Sequence, residues 1–143
     1  MKRLGIVLIS VILLTFALPN AAYAETGTTT RACHDQLFGM VGYLFFGWAR
    51  NSVTGQITYI GQVKYRIDKN GVRGGNEADV DFNDNTTSRN PDFFNDNGIQ
   101  DNQWHFLGGD YYRGGGGAVG VHFKFDLSLA TDVAECGIFV PLA

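Results

Sequence analysis

A single all-β domain tied by one disulfide is the fold this sequence predicts, and three observations predict it. Apolar and polar residues alternate with period two over long stretches, as they do when successive strand side chains point to opposite faces. Turn-forming residues separate these stretches, most clearly Asn70-Gly71, a pair that tolerates the positive φ values of tight hairpins. The only two cysteines, Cys33 and Cys136, stand near the two ends of the chain that follows an export signal, an even count that fits one bridge made in an oxidising compartment.

The signal comes first. Lys2 and Arg3 give a positive start, Leu4 to Leu18 are almost wholly apolar, and Pro19 breaks the run before Ala22-Tyr23-Ala24. Cleavage is expected after Ala24, so residues 1–24 are read as a Sec-type signal and the mature chain as secreted or periplasmic. The apolar run is shorter than the roughly 20 residues a spanning helix needs. No later run is long enough either, so no stable membrane insertion of the mature chain is expected. Losing Lys2 and Arg3 makes the formal charge more negative than the −3 of the whole sequence. A mildly acidic chain is a poor candidate for nucleic acid, whose binders work by neutralising phosphates.

Residues 25–32, rich in threonine, are read as a mobile lead, and 33–143 as one β domain. Met40 to Ala49 has no wet face: Tyr43, Leu44, Phe45, Phe46 and Trp48 are consecutive or nearly so. Either that strand is covered on both sides, or one side meets a partner or ligand. Gln56 to Asp68 follows, with Ile57, Tyr59, Gly61, Val63, Tyr65 and Ile67 on one face and Gln56, Thr58, Ile60, Gln62, Lys64, Arg66 and Asp68 on the other, mostly wet one. The turns at Asn51–Gly55 and Asp68–Gly71 predict that these two strands and the one at 78–82 run up and down. Trp104 and Phe106 flank His105 in a further strand. From Val119 to Leu129 the alternation is cleanest, and Gly137 to Leu142 forms a last short strand.

About 6–8 antiparallel strands with one dominant apolar face must curl into an up-and-down barrel or pack as a sandwich. The cysteines favour the barrel, since closure requires the first and last strands to meet. A β-sandwich is the alternative.

The motifs that carry chemistry are incomplete. Asp81, Asn83, Asn85 and Asp92 imitate the spacing of a calcium loop, but Thr86 stands where the turn needs glycine and Arg89 brings a cation. Asn95-Asp96-Asn97-Gly98 has the glycine, but Phe93 occupies its first ligand position. His34, His105 and His122 make no metal spacing, and no phosphate loop or nucleophile elbow is present. No cofactor or metal is therefore expected. A nuclease-like site would have to pair His105 or His122 with Glu77 or Asp110 and use Arg113 for an anion.

The aromatics carry more weight. Tyr43, Phe45, Tyr59, Tyr65, Trp104 and Tyr112 are the expected ligand-binding residues, lining the barrel interior. Inward tyrosines need partners for their hydroxyls, which favours a ligand-filled or wet interior. The segment Gly61-Gln62-Val63-Lys64-Tyr65-Arg66-Ile67-Asp68-Lys69-Asn70-Gly71-Val72 resembles the repeated hairpin of secreted calycin-like (lipocalin-type) barrels. Gly108-Gly109-Asp110-Tyr111-Tyr112-Arg113-Gly114-Gly115 resembles the glycine-rich segment of dirigent and allene oxide cyclase barrels. It lacks that segment's third glycine. Both resemblances imply an antiparallel barrel around an apolar cavity; one implies carriage, the other cofactor-free guidance of a cyclisation.

The expected function is thus a secreted, non-enzymatic domain that binds a small apolar ligand or a protein partner. The alternatives are an interaction protein (toxin, inhibitor or adhesin) with an exposed aromatic patch, and a cyclase- or isomerase-like barrel.

Overall fold

The computed structural model describes residues 24–73, 75, 77–84, 93–109, 111–112, 117–127 and 134–142, with backbone alone at 84, 111 and 112. Residues 1–23 of the expected 1–24 signal lie outside them, as do Asn85, Asp92, Asp110 and Arg113. Nine strands are described: β1 Ala24–His34, β2 Val41–Asn51, β3 Ile57–Asp68, β4 Ala78–Asp84, β5 Phe93–Asn95, β6 His105–Gly108, β7 Tyr111–Tyr112, β8 Ala118–Phe125 and β9 Ala134–Pro141. They form two antiparallel sheets. The first has the order β1-β2-β3-β6, with β7 also pairing β3; the second has the order β5-β4-β8-β9.

The barrel does not close, and the sandwich describes the chain. β1 lies against β9 and β5 against β6, yet no ladder joins either pair among the described residues. At one seam the Phe93 ring packs over Gly108, where a Cβ would have no room. At the other seam the Cys33–Cys136 disulfide does the joining, with the two Cα atoms 5.8 Å apart. The first and last strands are neighbours, as the cysteines implied, through a covalent bond rather than a ladder.

Two other expectations change. Residues 25–32, expected as a mobile lead, form most of β1, which pairs β2 from Ala24↔Asn51 to His34↔Val41. Thr26, Thr28, Thr29 and Thr30 are β-branched and suit extended backbone even where neither face is apolar. The far end is fastened by Arg50, which donates to both carboxylate oxygens of Glu25 at 2.8 and 2.9 Å. The Asn70-Gly71 turn forms with both φ values positive, 49° and 81°, and Val72 N–H donates to the Lys69 carbonyl. It does not make β4 the neighbour of β3, however. The segment after it crosses to the second sheet, where Gln100 Nε2 donates to the carbonyls of Gly75 and Asp126.

The core lies between the sheets. Leu44 and Phe46 of β2, Ile60, Val63, Tyr65 and Ile67 of β3, Val80 and Phe82 of β4, and Phe123 and Phe125 of β8 are all essentially inaccessible. Phe46 meets Phe82 edge-on at 6.5 Å, and Phe123 stacks on Phe125. Each such side chain contributes about 1.5–3 kcal/mol by leaving water. These side chains fill the interior that was expected to hold a ligand.

Candidate functional site

The outer face of the first sheet carries the chemistry, and two irregularities in β3 create it. Register shifts fall between Phe45/Gly47 and between Ala49/Arg50, and Gln62 adopts φ 53° at the first. An extra residue at a bulge reverses which side chains face the core. Ile57 is therefore buried, Ile60 is buried three residues on, and Val63, Tyr65 and Ile67 are buried at and beyond the Gln62 bulge. Tyr59 consequently takes the side opposite Ile60, half-buried.

Beyond the Gln62 bulge the register sets Tyr43 opposite Arg66 and Phe45 opposite Lys64. The Arg66 guanidinium sits 4.0 Å from the centroid of the Tyr43 ring and 5.2 Å from that of Trp104. Lys64 Nζ sits 5.6 Å from the Phe45 centroid. Trp104 meets both Tyr43 and Phe45 edge-on, at 6.4 and 6.1 Å, and so caps both rungs. Phe106 of β6, opposite Lys64, extends the patch and is 62 % exposed. Each cation over a ring is worth about 0.5–1 kcal/mol when exposed and up to about 2 when desolvated. Phe45, Lys64 and Trp104 line a depression of about 160 Å³.

The electrostatics of this face are one-sided. Among the described residues neither Lys64 nor Arg66 has a carboxylate partner. Asp68, next along the same face of β3, accepts the Asn70 N–H, and Asp101 accepts from His105 Nε2 and the Gln103 N–H. The hydrogen bond from His105 holds the Asp101 carboxyl below its ordinary range. Arg66 Nε is buried without a hydrogen-bond partner among the described residues, which is costly for a charged group.

No protein-family profile, curated protein or solved structure matches this chain. Its function must be argued from the geometry.

The structure brings together three of the expected ligand-binding residues, Tyr43, Phe45 and Trp104, but on the outside of a sheet rather than around an interior. Tyr65 is elsewhere: it is 1 % exposed in the core. Its hydroxyl accepts the Ile99 N–H at 2.8 Å, and its ring stacks on His105 at 5.4 Å. The Tyr112 backbone pairs with Tyr59, and its side chain lies outside the described residues. Trp48 is structural, donating to Thr29 Oγ1 and covering Gly27. Lys64, Arg66 and Phe106 were missed. The signal for them was present: a strand with no wet face beside one whose polar face reads Lys-x-Arg.

The second sheet's outer face carries internally paired ions beside the exposed rings of Phe94 and Phe139. Lys124 meets Asp79 at 3.5 Å and His122 meets Glu135 at 3.3 Å. Burial raises the Asp81 carboxyl above its ordinary value, with His122 opposing that rise. The histidines therefore meet Asp101 and Glu135, not Glu77. Asp81 and Asn83 lie on β4, while the rest of the calcium-like loop is outside the described residues. The Asn95 side chain accepts the Asn97 N–H, closing its own turn.

Burial pushes the Tyr65 phenol above its ordinary value near 10. As pH rises past about 10 the unfolded chain ionises at this residue first, so stability falls until the folded phenol also titrates. Tyr65→Phe should flatten that alkaline loss relative to wild type. At neutral pH it should cost about 1–3 kcal/mol, because the Ile99 N–H loses its acceptor. Thermal melts of both proteins between pH 8 and 11.5 check this; equal alkaline slopes would refute it.

Proposed function

We propose that this chain is an exported, non-catalytic binding protein that engages a protein partner through the outer face of the first sheet. The observation that carries the reading is the Tyr43–Phe45–Trp104–Phe106 patch, which presents Arg66 and Lys64 instead of burying its aromatics. Trp, Tyr and Arg dominate binding hot spots because they offer large rigid surface with a polar handle. Export is supported by the composition of residues 1–24 and by the disulfide. Among the described residues no helix is long and apolar enough to cross a membrane.

Size favours a partner surface over an enclosed small ligand at this patch. Sites that bury drug-sized ligands measure about 300–1,000 Å³, whereas the aromatic depression is about 160 Å³ and open on the surface. That suits one side chain of a partner.

The test is site-specific photocrosslinking in cells that export the chain. A photoreactive phenylalanine analogue at Phe106 should give a discrete protein adduct. The same analogue at Phe139, 65 % exposed on the second sheet, should give none. No adduct from position 106, or equal adducts from both, would overturn the reading.

A further inference from the structure

We infer that the partner segment recognised by this face is an extended acidic peptide, whose carboxylates are read by Arg66 and Lys64 two residues apart on β3. The inference rests on the binding face proposed above and names what it binds.

Charge selects the class. The chain is net negative, at −3 over the whole sequence, yet this patch presents two cations with no carboxylate on either among the described residues. Complementary charge on the partner is what such an arrangement selects. Pre-organisation selects the atom. Two rings hold the Arg66 guanidinium plane, at 4.0 and 5.2 Å, so little side-chain entropy is left to lose on binding. Its Nε is buried and without a hydrogen-bond partner among the described residues, so the half-buried side chain offers its terminal Nη groups, from which an approaching carboxylate can accept bidentately.

Spacing selects an extended peptide. Arg66 and Lys64 are alternate residues of one strand, hence about 6.5–7 Å apart. Alternate residues of an extended partner segment have the same spacing on the same face, so two acids at i and i+2 reach both cations. An apolar side chain two residues beyond those acids, on the same face of that segment, can enter the depression between Phe45 and Trp104.

Isothermal titration calorimetry tests this with defined probes. The first is an acetylated, amidated pentapeptide of alternating Glu and Val ending in Phe; the second replaces each Glu by Gln; the third is a short galacturonate oligomer. The Glu peptide should bind at least about tenfold tighter than the Gln peptide, with the advantage shrinking in 0.5 M salt. Arg66→Gln and Arg66→Lys should both remove most of that advantage, since an ammonium has no planar fork. Lys64→Gln should reduce it by a few-fold.

Equal binding of the Glu and Gln peptides, or of neither, overturns the inference. Tighter binding of the galacturonate oligomer than of the Glu peptide overturns it in favour of an acidic glycan. A Phe106 adduct together with either result leaves the binding face standing and removes only the acidic-peptide assignment.

Discussion

Replacing Cys33 and Cys136 together by serine should lower the unfolding free energy by about 2–4 kcal/mol, and the melting temperature by roughly 10–15 °C for a domain of this size. The two residues are 103 apart in sequence, so the bridge closes nearly the whole domain into one loop. In the chain-entropy model such a loop is worth about 4.7 kcal/mol at most. The structure adds a second reason to expect a large effect. β1 and β9 lie side by side without a ladder between them, so the disulfide is the only covalent tie across that seam. Without it β1 keeps its pairing to β2 but loses its attachment to the second sheet. The aromatic patch is built by β2, β3 and the β6 end, so peptide binding at low temperature should survive. Melts of the oxidised wild type and the double serine variant, with the calorimetric titration repeated on each, check both halves. A loss under about 1 kcal/mol would mean that side-chain packing alone holds the seam.

How legible each part was in the sequence follows from what interrupts the alternation. β8 was readable because nothing does: Val119, Val121, Phe123 and Phe125 are all buried. β3 was half readable. Its bulges turn Ile60 inward and Tyr59 outward, and the residue at φ 53° is Gln62 rather than a glycine, so no residue type announced the change. β1 was missed because threonines satisfy a strand without marking an apolar face. Its partner is β2, and pairing, not periodicity, makes it a strand.

The site divides in the same way. Tyr43, Phe45 and Trp104 stood out as surplus aromatics, but a barrel reading turned them inward. Lys64 and Arg66 occupy the polar positions of an alternating strand, a pattern that by itself marks only a solvent face. Only the cross-strand register, Tyr43 to Arg66 and Phe45 to Lys64, shows that the two observations describe one surface.

The second large effect concerns the layer in which the disulfide sits. Cys33 pairs across the first sheet with Gly42, and Cys136 pairs across the second with Phe123. Packed sheets ordinarily stand about 10 Å apart; here the cysteine Cα atoms are 5.8 Å apart at the edge. Gly42 permits the approach. A Cβ there would lie 2.5 Å from Cδ2 and 2.7 Å from Cγ of Phe123, well inside ordinary contact. Phe123→Ala should therefore cost about 3–5 kcal/mol, because a fully buried ring leaves a cavity between the sheets. Gly42→Ala should cost about 1–3 kcal/mol by overpacking; Gly42 has no positive φ, so the penalty is steric. The double variant should lose less than the sum of the two by about 1–2 kcal/mol, since the added methyl enters the space the ring vacated. Denaturant unfolding of the four proteins in this cycle measures the coupling. Strict additivity would mean that Gly42 and Phe123 do not share one contact, and that some other pair sets the sheet spacing at the disulfide.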